Sequence, residues 1–160
     1  MRHGVDDATR LIKAIRRIAH AIDLRSRKVS RAVGLTIPQI VVLSSVRDMG
    51  EVTTRAISQA SDLSPATVVT ILDKLEERGL VERYRSRIDR RIVHTRLTAK
   101  GAVTLASAPP LLDDAFRAGL AGLPGEDRAR LVAALETVAE MMDVREIDAE
   151  TMLTPTGDPT

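Results

Sequence analysis

The chain has 160 residues, 44% hydrophobic and 29% charged, a balance that indicates a folded protein and excludes a disordered one. It contains no cysteine, which excludes disulfides and thiol redox switches, and its three histidines are too far apart in sequence for a local metal motif. The net charge of +2 is unevenly distributed. Residues 10–31 contain eight Lys/Arg and one acidic residue, and residues 78–100 contain eight Lys/Arg and two acidic residues. Residues 113–150 contain four Lys/Arg and ten acidic residues, so the chain has two basic segments and one acidic segment.

Three helices are expected in the first 60 residues. Apolar residues recur at intervals of three and four over residues 7–33, which predicts an amphipathic helix that Gly34 ends. A second helix is expected over 36–50, with Thr36 as its cap. Residues 52–60 predict a short third helix, which would be the first helix of a helix-turn-helix.

The next helix begins at a clear start signal. Ser64 suits the N-cap and Pro65 the first helical position, and Gly79 suits the end, so a helix is expected over 64–78. Asp62 lies in the connection before it and tolerates the left-handed conformation that such a turn needs.

Two strands and a turn follow. The stretches "LVERYRS" and "RIVHTRLT" alternate apolar and polar residues, which predicts two strands joined by the turn "RSRID". Thr98 is expected to cap a further helix that the "APP" segment interrupts, and a new helical segment is expected from Pro110 to about Leu120. The last long helix is expected over 126–144, followed by a frayed tail.

This order of elements predicts a mainly α protein, an α+β winged helix-turn-helix flanked by N- and C-terminal helices. We expect one domain over 1–160, with a DNA-binding lobe at 36–98 and dimerisation helices at 7–33 and 99–145. The first and last helices each have an apolar stripe that a small core has little room to cover. A homodimer would bury both stripes, although they could instead pack on their own winged domain.

The residues that suit nucleic-acid binding indicate a duplex. One Tyr, one Phe and no Trp leave almost no surface for stacking unpaired bases, as single-strand binders do. In helix-turn-helix proteins the second helix enters the major groove, led by its N-terminal residues. Its candidate DNA-binding residues here are Ser64, Pro65, Ala66, Thr67, Val69, Thr70 and Lys74. Simple solvent exposure of the threonines is the alternative.

The turn between the strands is the second candidate contact. It places four arginines and one acid around a hairpin tip, namely Arg85, Arg87, Asp89, Arg90 and Arg91. Arginine is favoured in narrow minor grooves because the negative potential is concentrated there. The acid would repel phosphate, so we expect it either to fix the guanidinium of Arg91 or merely to start the bend.

Four stretches, "LTIPQIVVLSSV", "SPATVVTILDKLEERGLVER", "DRR" and "RLTAKG", resemble the MarR family of bacterial transcriptional regulators over roughly residues 10–145. The resemblance implies a homodimer that reads a near-palindromic site, with Asp89 and Arg91 at the Asp-x-Arg of the wing. Ser58 and Ser61 depart from the family's usual residues. The stretches "IDLRSRKVSRAVGLT", "APPLL", "MMD" and "EID" also resemble MarR-type repressors of compatible-solute genes, such as those of ectoine synthesis, which would link the protein to osmotic stress.

The resemblance also implies an effector site. Many members of the family release DNA when a small aromatic acid binds between the dimerisation helices and the winged domain. Matching positions here would be Ile15, Arg16, Ala19, His20, Leu43 and Arg47. Plain packing beside a solvated arginine is the simpler interpretation of these residues.

The leading hypothesis is therefore a dimeric repressor that binds double-stranded DNA without a cofactor or a metal. A non-specific architectural DNA binder and a protein-interaction module remain alternatives. An enzyme is not expected, because no nucleophile elbow, phosphate loop or ligand cluster is present. No run of 18 apolar residues and no N-terminal apolar segment occurs, so we expect no membrane span, no secretory signal and a cytoplasmic location.

Overall fold

The computed structural model describes residues 3–142, with side chains from residue 6 onward. The elements in this part of the chain are α1 (His3–Val33), α2 (Ile37–Met49), β1 (Val52–Thr53), α3 (Thr54–Ser61), α4 (Pro65–Glu77), β2 (Val81–Arg85), β3 (Val93–Leu97), α5 (Ala99–Ser107), α6 (Asp114–Gly122) and α7 (Gly125–Met141). The winged helix-turn-helix fold is confirmed. The predicted tail and the last predicted residues of the final helix lie outside the described residues.

Local hydrogen bonds fix the helix starts that the sequence predicts. At α2 the Thr36 hydroxyl accepts from the Gln39 N–H at 3.4 Å, and the Gln39 side chain accepts from the Thr36 N–H at 3.0 Å. This reciprocal pair satisfies two amides that would otherwise lack a partner. Thr98 caps α5 in a similar way, because its hydroxyl accepts from the Gly101 N–H at 3.0 Å.

The three strands form an antiparallel sheet in the order β1-β3-β2. Val52 pairs with Thr95, and Val81 pairs with Leu97. The expected helical start at Val52 is wrong, because the first two residues of that segment form β1 instead. Thr53 has the extended conformation of an N-cap, with φ −84° and ψ 156°, so α3 begins at the next residue, Thr54.

The core lies where α2, α3 and α4 meet the sheet. Leu43, Ile57, Ile71 and Leu75 are fully buried there. Val42 is also fully buried, and α2 packs against α3, α4, β3 and α5. Burying these aliphatic side chains contributes most of the stability of the lobe that carries the helix-turn-helix.

The segment after α5 differs from the prediction. Helix α5 ends before the two prolines, as expected, but the next helix starts at Asp114 rather than at Pro110. Asp113 sets this start, because its carboxylate accepts from the Phe116 N–H at 2.8 Å. The same carboxylate pairs with Arg25 of α1, and both bonds lower the pKa of Asp113.

Large apolar side chains remain uncovered on the flanking helices. Neither α6 nor α7 has a buried residue, and α1 exposes its apolar stripe along most of its length. The exposed side chains include Leu11, Ile12, Ile18, Ile22, Phe116, Leu131, Val132 and Leu135. Within residues 3–142, the winged lobe therefore leaves these stripes exposed.

Among the described residues, no single helix is both long and apolar enough to cross a membrane; α1 and α2 pass that test of length and composition only as a pair, bent by 67°.

Candidate nucleic-acid interface

The second helix of the helix-turn-helix starts at a position that the turn before it defines. Asp62 adopts the left-handed conformation with φ 53°, as its residue type predicted. The Ser58 hydroxyl then donates to the Leu63 carbonyl at 2.5 Å, and the Ser64 hydroxyl accepts from the Thr67 N–H at 3.1 Å. These bonds hold α4 in place relative to α3.

The N-terminal half of α4 presents a small, nearly uncharged surface. Ser64, Pro65, Ala66 and Val69 are exposed, and no acidic residue lies in the first turn. The partial positive charge at this helix end favours a phosphate group. Val69, one of the candidate DNA-binding residues, is 42% exposed.

The hydroxyls predicted for base contacts are already engaged within the helix. Thr67 and Thr70 are half-buried, and the Thr67 hydroxyl lies 2.8 Å from that of Ser64. The Thr70 hydroxyl donates to the Ala66 carbonyl at 3.1 Å. Either hydroxyl of the Ser64–Thr67 pair can be the donor, whereas the Thr70 hydroxyl would have to leave the Ala66 carbonyl before it could donate to a base. The exposed methyl groups of this half of the helix are free for apolar contact.

The C-terminal half of the predicted contact surface carries one cation. Lys74 is exposed and its ammonium group lies 3.2 Å from the Glu77 carboxylate, one helical turn away. Such an exposed pair contributes little to stability and separates readily. Lys74 is therefore available to a phosphate.

The wing is a short turn held by its own hydrogen bonds. The Ser86 N–H donates to the Ile92 carbonyl at 2.8 Å, and the Ile92 N–H donates to the Asp89 carbonyl at 2.9 Å. The Ser86 hydroxyl accepts from the N–H groups of Ile88 and Asp89 at 3.2 and 3.3 Å. The tip therefore has a defined shape before any partner binds.

Arg91 extends from this turn with its guanidinium oriented by Asp89. The Arg91 side chain is 91% exposed, and its Nε and Nη2 atoms donate to the Asp89 carboxylate at 3.2 and 3.3 Å. The same carboxylate accepts from the Arg91 backbone N–H at 3.0 Å, so it both shapes the turn and orients the guanidinium. These bonds lower the pKa of Asp89.

The other wing arginines surround the tip. Arg87 and Arg90 are exposed, and Arg85 donates through Nη1 to the Arg90 carbonyl at 2.9 Å. The structure thus brings all four predicted arginines to one end of the hairpin. Asp89, the acid among them, has its charge directed at Arg91.

An ionic cluster that the sequence analysis missed joins this wing to α4. Arg83 on β2 donates through Nε to the Glu76 carboxylate at 2.9 Å and through Nη2 to Asp73 at 2.6 Å. The Arg83 backbone N–H also donates to Glu76, at 3.2 Å. Glu76 has a lowered pKa and Arg83 a raised one, mainly because of the hydrogen bonds between their side chains. The i, i+3 spacing of the two acids was the available sequence signal.

The six residues predicted to line an effector cleft lie on α1 and α2 and differ in burial. Leu43 is fully buried in the core, whereas Arg16, Ala19 and His20 are exposed on α1, beside the half-buried Ile15. The stretch of α1 that enters the core lies further along, at Val29.

Arg47, the last of the six, lies on the surface of α2. Its Nε donates to the carboxylate of the neighbouring Asp48 at 2.7 Å, and this bond lowers the pKa of Asp48. The effector site predicted at these six residues stays a prediction.

Comparison with known proteins agrees with this geometry. The pattern of the MarR family matches residues 35–93. The transcriptional regulator HosA of Escherichia coli O111:H- is 32% identical over 109 residues, which cover 68% of this chain and 78% of HosA. The HTH-type transcriptional regulator YsmB of Bacillus subtilis is 30% identical over 89 residues, so the chain spans 61% of that relative.

A solved structure shares the fold. A MarR mutant from Escherichia coli, complexed with operator DNA, superposes with a TM-score of 0.57 at 23% identity, covering 81% of this chain and 95% of that one. The two-helix motif, the sheet and the cationic hairpin define a winged helix-turn-helix protein that binds DNA. The chain belongs to the MarR family of transcriptional regulators. It is a DNA-binding regulator rather than an enzyme.

Proposed function

We propose that the protein is a homodimeric repressor that binds a near-palindromic duplex site. Each copy would place the N-terminal half of α4 in the major groove and its wing in the adjacent minor groove. The observation that carries this proposal is the wing: a turn fixed by its own hydrogen bonds holds four arginines at one end of the hairpin. A surface of that charge and size suits a polyanion with a narrow groove.

Direct base readout in the major groove would be modest. The outward surface of α4 offers methyl groups and serine and threonine oxygens, with Lys74 as its cation. Methyl groups contact the thymine methyl, and a hydroxyl can donate to a phosphate oxygen or pair with a base edge. Sequence preference would therefore depend in part on the shape of the minor groove under the wing.

The proposed dimer follows from the uncovered apolar stripes. Helices α6 and α7 have no buried residue in the described chain, and α1 exposes isoleucines and leucines along one side. Exposed apolar surface of this extent marks an interface in proteins of this size. A second copy would cover α1, α6 and α7 and would set the distance between the two α4 helices. The two sites for DNA would then lie on one side of the dimer.

A salt titration of operator binding tests the DNA contact. The purified protein would first be footprinted on its own upstream region, and the affinity would then be measured by fluorescence anisotropy at several salt concentrations. Each phosphate contact contributes about 0.9 to the slope of log affinity against log salt. Arg91→Ala should weaken binding about tenfold or more and reduce the slope by about 1 per wing.

The matched control removes a charge elsewhere. Arg130 pairs with Glu126 and Asp127 on the polar side of α7, so Arg130→Ala should leave both the affinity and the slope nearly unchanged. Size-exclusion chromatography should show a dimer for all three proteins. Equal binding by wild type and Arg91→Ala would contradict the minor-groove role, and equal affinity for operator and random DNA would favour an architectural binder.

We also propose that the protein acts in the cytoplasm on genes of the response to osmotic stress. The support is the similarity of "IDLRSRKVSRAVGLT" and "APPLL" to repressors of compatible-solute genes. Transcript levels in a deletion strain, with and without added salt, test this. Unchanged levels of compatible-solute genes in both conditions would contradict it.

A further inference from the structure

Ile88 occupies the tip of the wing with its side chain almost entirely in solvent. It is 99% exposed, the highest value among the large apolar side chains described. An isoleucine in that position gains nothing from burial in the folded chain. Turn tips favour Gly, Asn, Asp or Ser, and a branched β-carbon suits them poorly. Folding of the single chain therefore gives no reason for isoleucine at this position.

The turn presents this side chain in a fixed place. The Ser86 hydroxyl accepts from the Ile88 N–H at 3.2 Å and from the Asp89 N–H at 3.3 Å. The Ser86–Ile92 and Ile92–Asp89 backbone bonds close the turn around it. Isoleucine also has few χ1 rotamers, so ordering it on a partner costs little conformational entropy.

The surroundings of Ile88 indicate what covers it. Arg87, Arg90 and Arg91 are exposed beside it, and the one acid of the turn is bonded to Arg91. Arginines arranged in this way disfavour contact with an apolar protein surface and favour contact with a polyanion. The minor groove of DNA combines phosphates at its edges with the apolar faces of deoxyribose along its walls. Apolar side chains of minor-groove binders also press against or between base steps there.

We infer that Ile88 is a specificity-determining residue that enters the minor groove between the wing arginines, and this inference rests on the proposed DNA-binding function. Its branched side chain would pack on the sugar walls and press against one base step. Steps that unstack easily, such as TA and CA/TG, would be favoured at that position. The arginines would supply affinity for any sequence, whereas Ile88 would supply preference among sequences.

The test replaces Ile88 and measures two quantities on the footprinted operator. Ile88→Ser should lower the affinity about tenfold, as expected for partial loss of one buried aliphatic side chain. The slope of log affinity against log salt should not change, because an apolar contact releases no counterions. Ile88→Leu, which keeps the apolar volume, is the matched control and should retain most of the affinity.

A second arm changes the DNA. In one altered operator, the base step under the wing is changed to GC. The wild type should bind this operator more weakly than the original one, whereas Ile88→Ser should bind the two operators with nearly equal affinity. That non-additive result is the sign of direct coupling between the side chain and the step. If the losses simply add, or if Ile88→Ser binds as the wild type does, the inference is wrong although the proposed function stands.

Two further results would also overturn the inference. A salt slope reduced by about 1 per wing in Ile88→Ser would mean that the residue acts by placing an arginine. Binding of wild type but not Ile88→Ser to phosphatidylserine vesicles, with operator affinity equal in both, would assign the tip to a lipid surface. Failure of the wild type to bind any duplex would instead refute the proposed function itself.

Discussion

Removal of the Arg83 guanidinium should loosen the wing from α4 and destabilise the lobe measurably. Arg83→Met keeps the aliphatic stem but removes the bonds to Glu76 and Asp73. The Arg83 side chain is 25% exposed and the Glu76 side chain is 38% exposed, so this ion pair is neither fully buried nor fully exposed. A hydrogen bond to a charged group contributes about 1.5–3 kcal/mol, and partial exposure favours the lower end.

The more exposed Asp73 pair adds about 0.5 kcal/mol, so the total loss should be about 2 kcal/mol. For a chain of this size that corresponds to a fall in Tm of about 4–8 °C. Thermal unfolding followed by circular dichroism, at one fixed protein concentration, measures it. Lys74→Met is the control, because the Lys74–Glu77 pair is exposed and its loss should cost less than about 0.5 kcal/mol.

The same cluster predicts a pH dependence. Its bond to Arg83 lowers the pKa of Glu76 in the folded protein. A lowered folded-state pKa contributes stability that is present above the unfolded pKa, about 4.3 for a glutamate, and is lost as the pH falls through the folded pKa. The Tm difference between wild type and Arg83→Met should therefore shrink below about pH 4. Equal Tm values at pH 7, or a difference no larger than that of Lys74→Met, would refute the reasoning.

Three further substitutions test the backbone of the lobe. Gly101→Ala should destabilise by more than about 3 kcal/mol or prevent folding, because the new Cβ would lie 2.0 Å from the Leu80 carbonyl oxygen; a soluble variant with wild-type Tm would contradict this. Ser64→Ala should cost about 1 kcal/mol in urea unfolding, because the Thr67 N–H loses its cap. Asp62→Gly should be neutral or stabilising at φ 53°, so a loss above about 1 kcal/mol in the same assay would show that the carboxylate matters.

The sequence alone predicted the order of the elements apart from β1, and it marked the two parts proposed to contact DNA. Helix starts at Thr36, Ser64 and Thr98 were predictable because an N-cap acts through hydrogen bonds to residues three positions away. The alternation of apolar and polar residues in β2 and β3, and the cluster of arginines between these strands, were predictable from the local sequence in the same way. These features depend on neighbours along the chain, so one sequence contains all the information they need.

Features that depend on contacts between distant segments were decided only by the tertiary structure. The local sequence predicts a helix at Val52, but this residue forms a strand because it pairs with Thr95 of β3, 43 positions away in the sequence. The Arg83 cluster likewise needs β2 to lie beside α4, and the exposure of Ile88 is visible only once the turn around it is closed. Pairing across the fold depends on the positions of whole elements, and a residue's local pattern does not contain those positions.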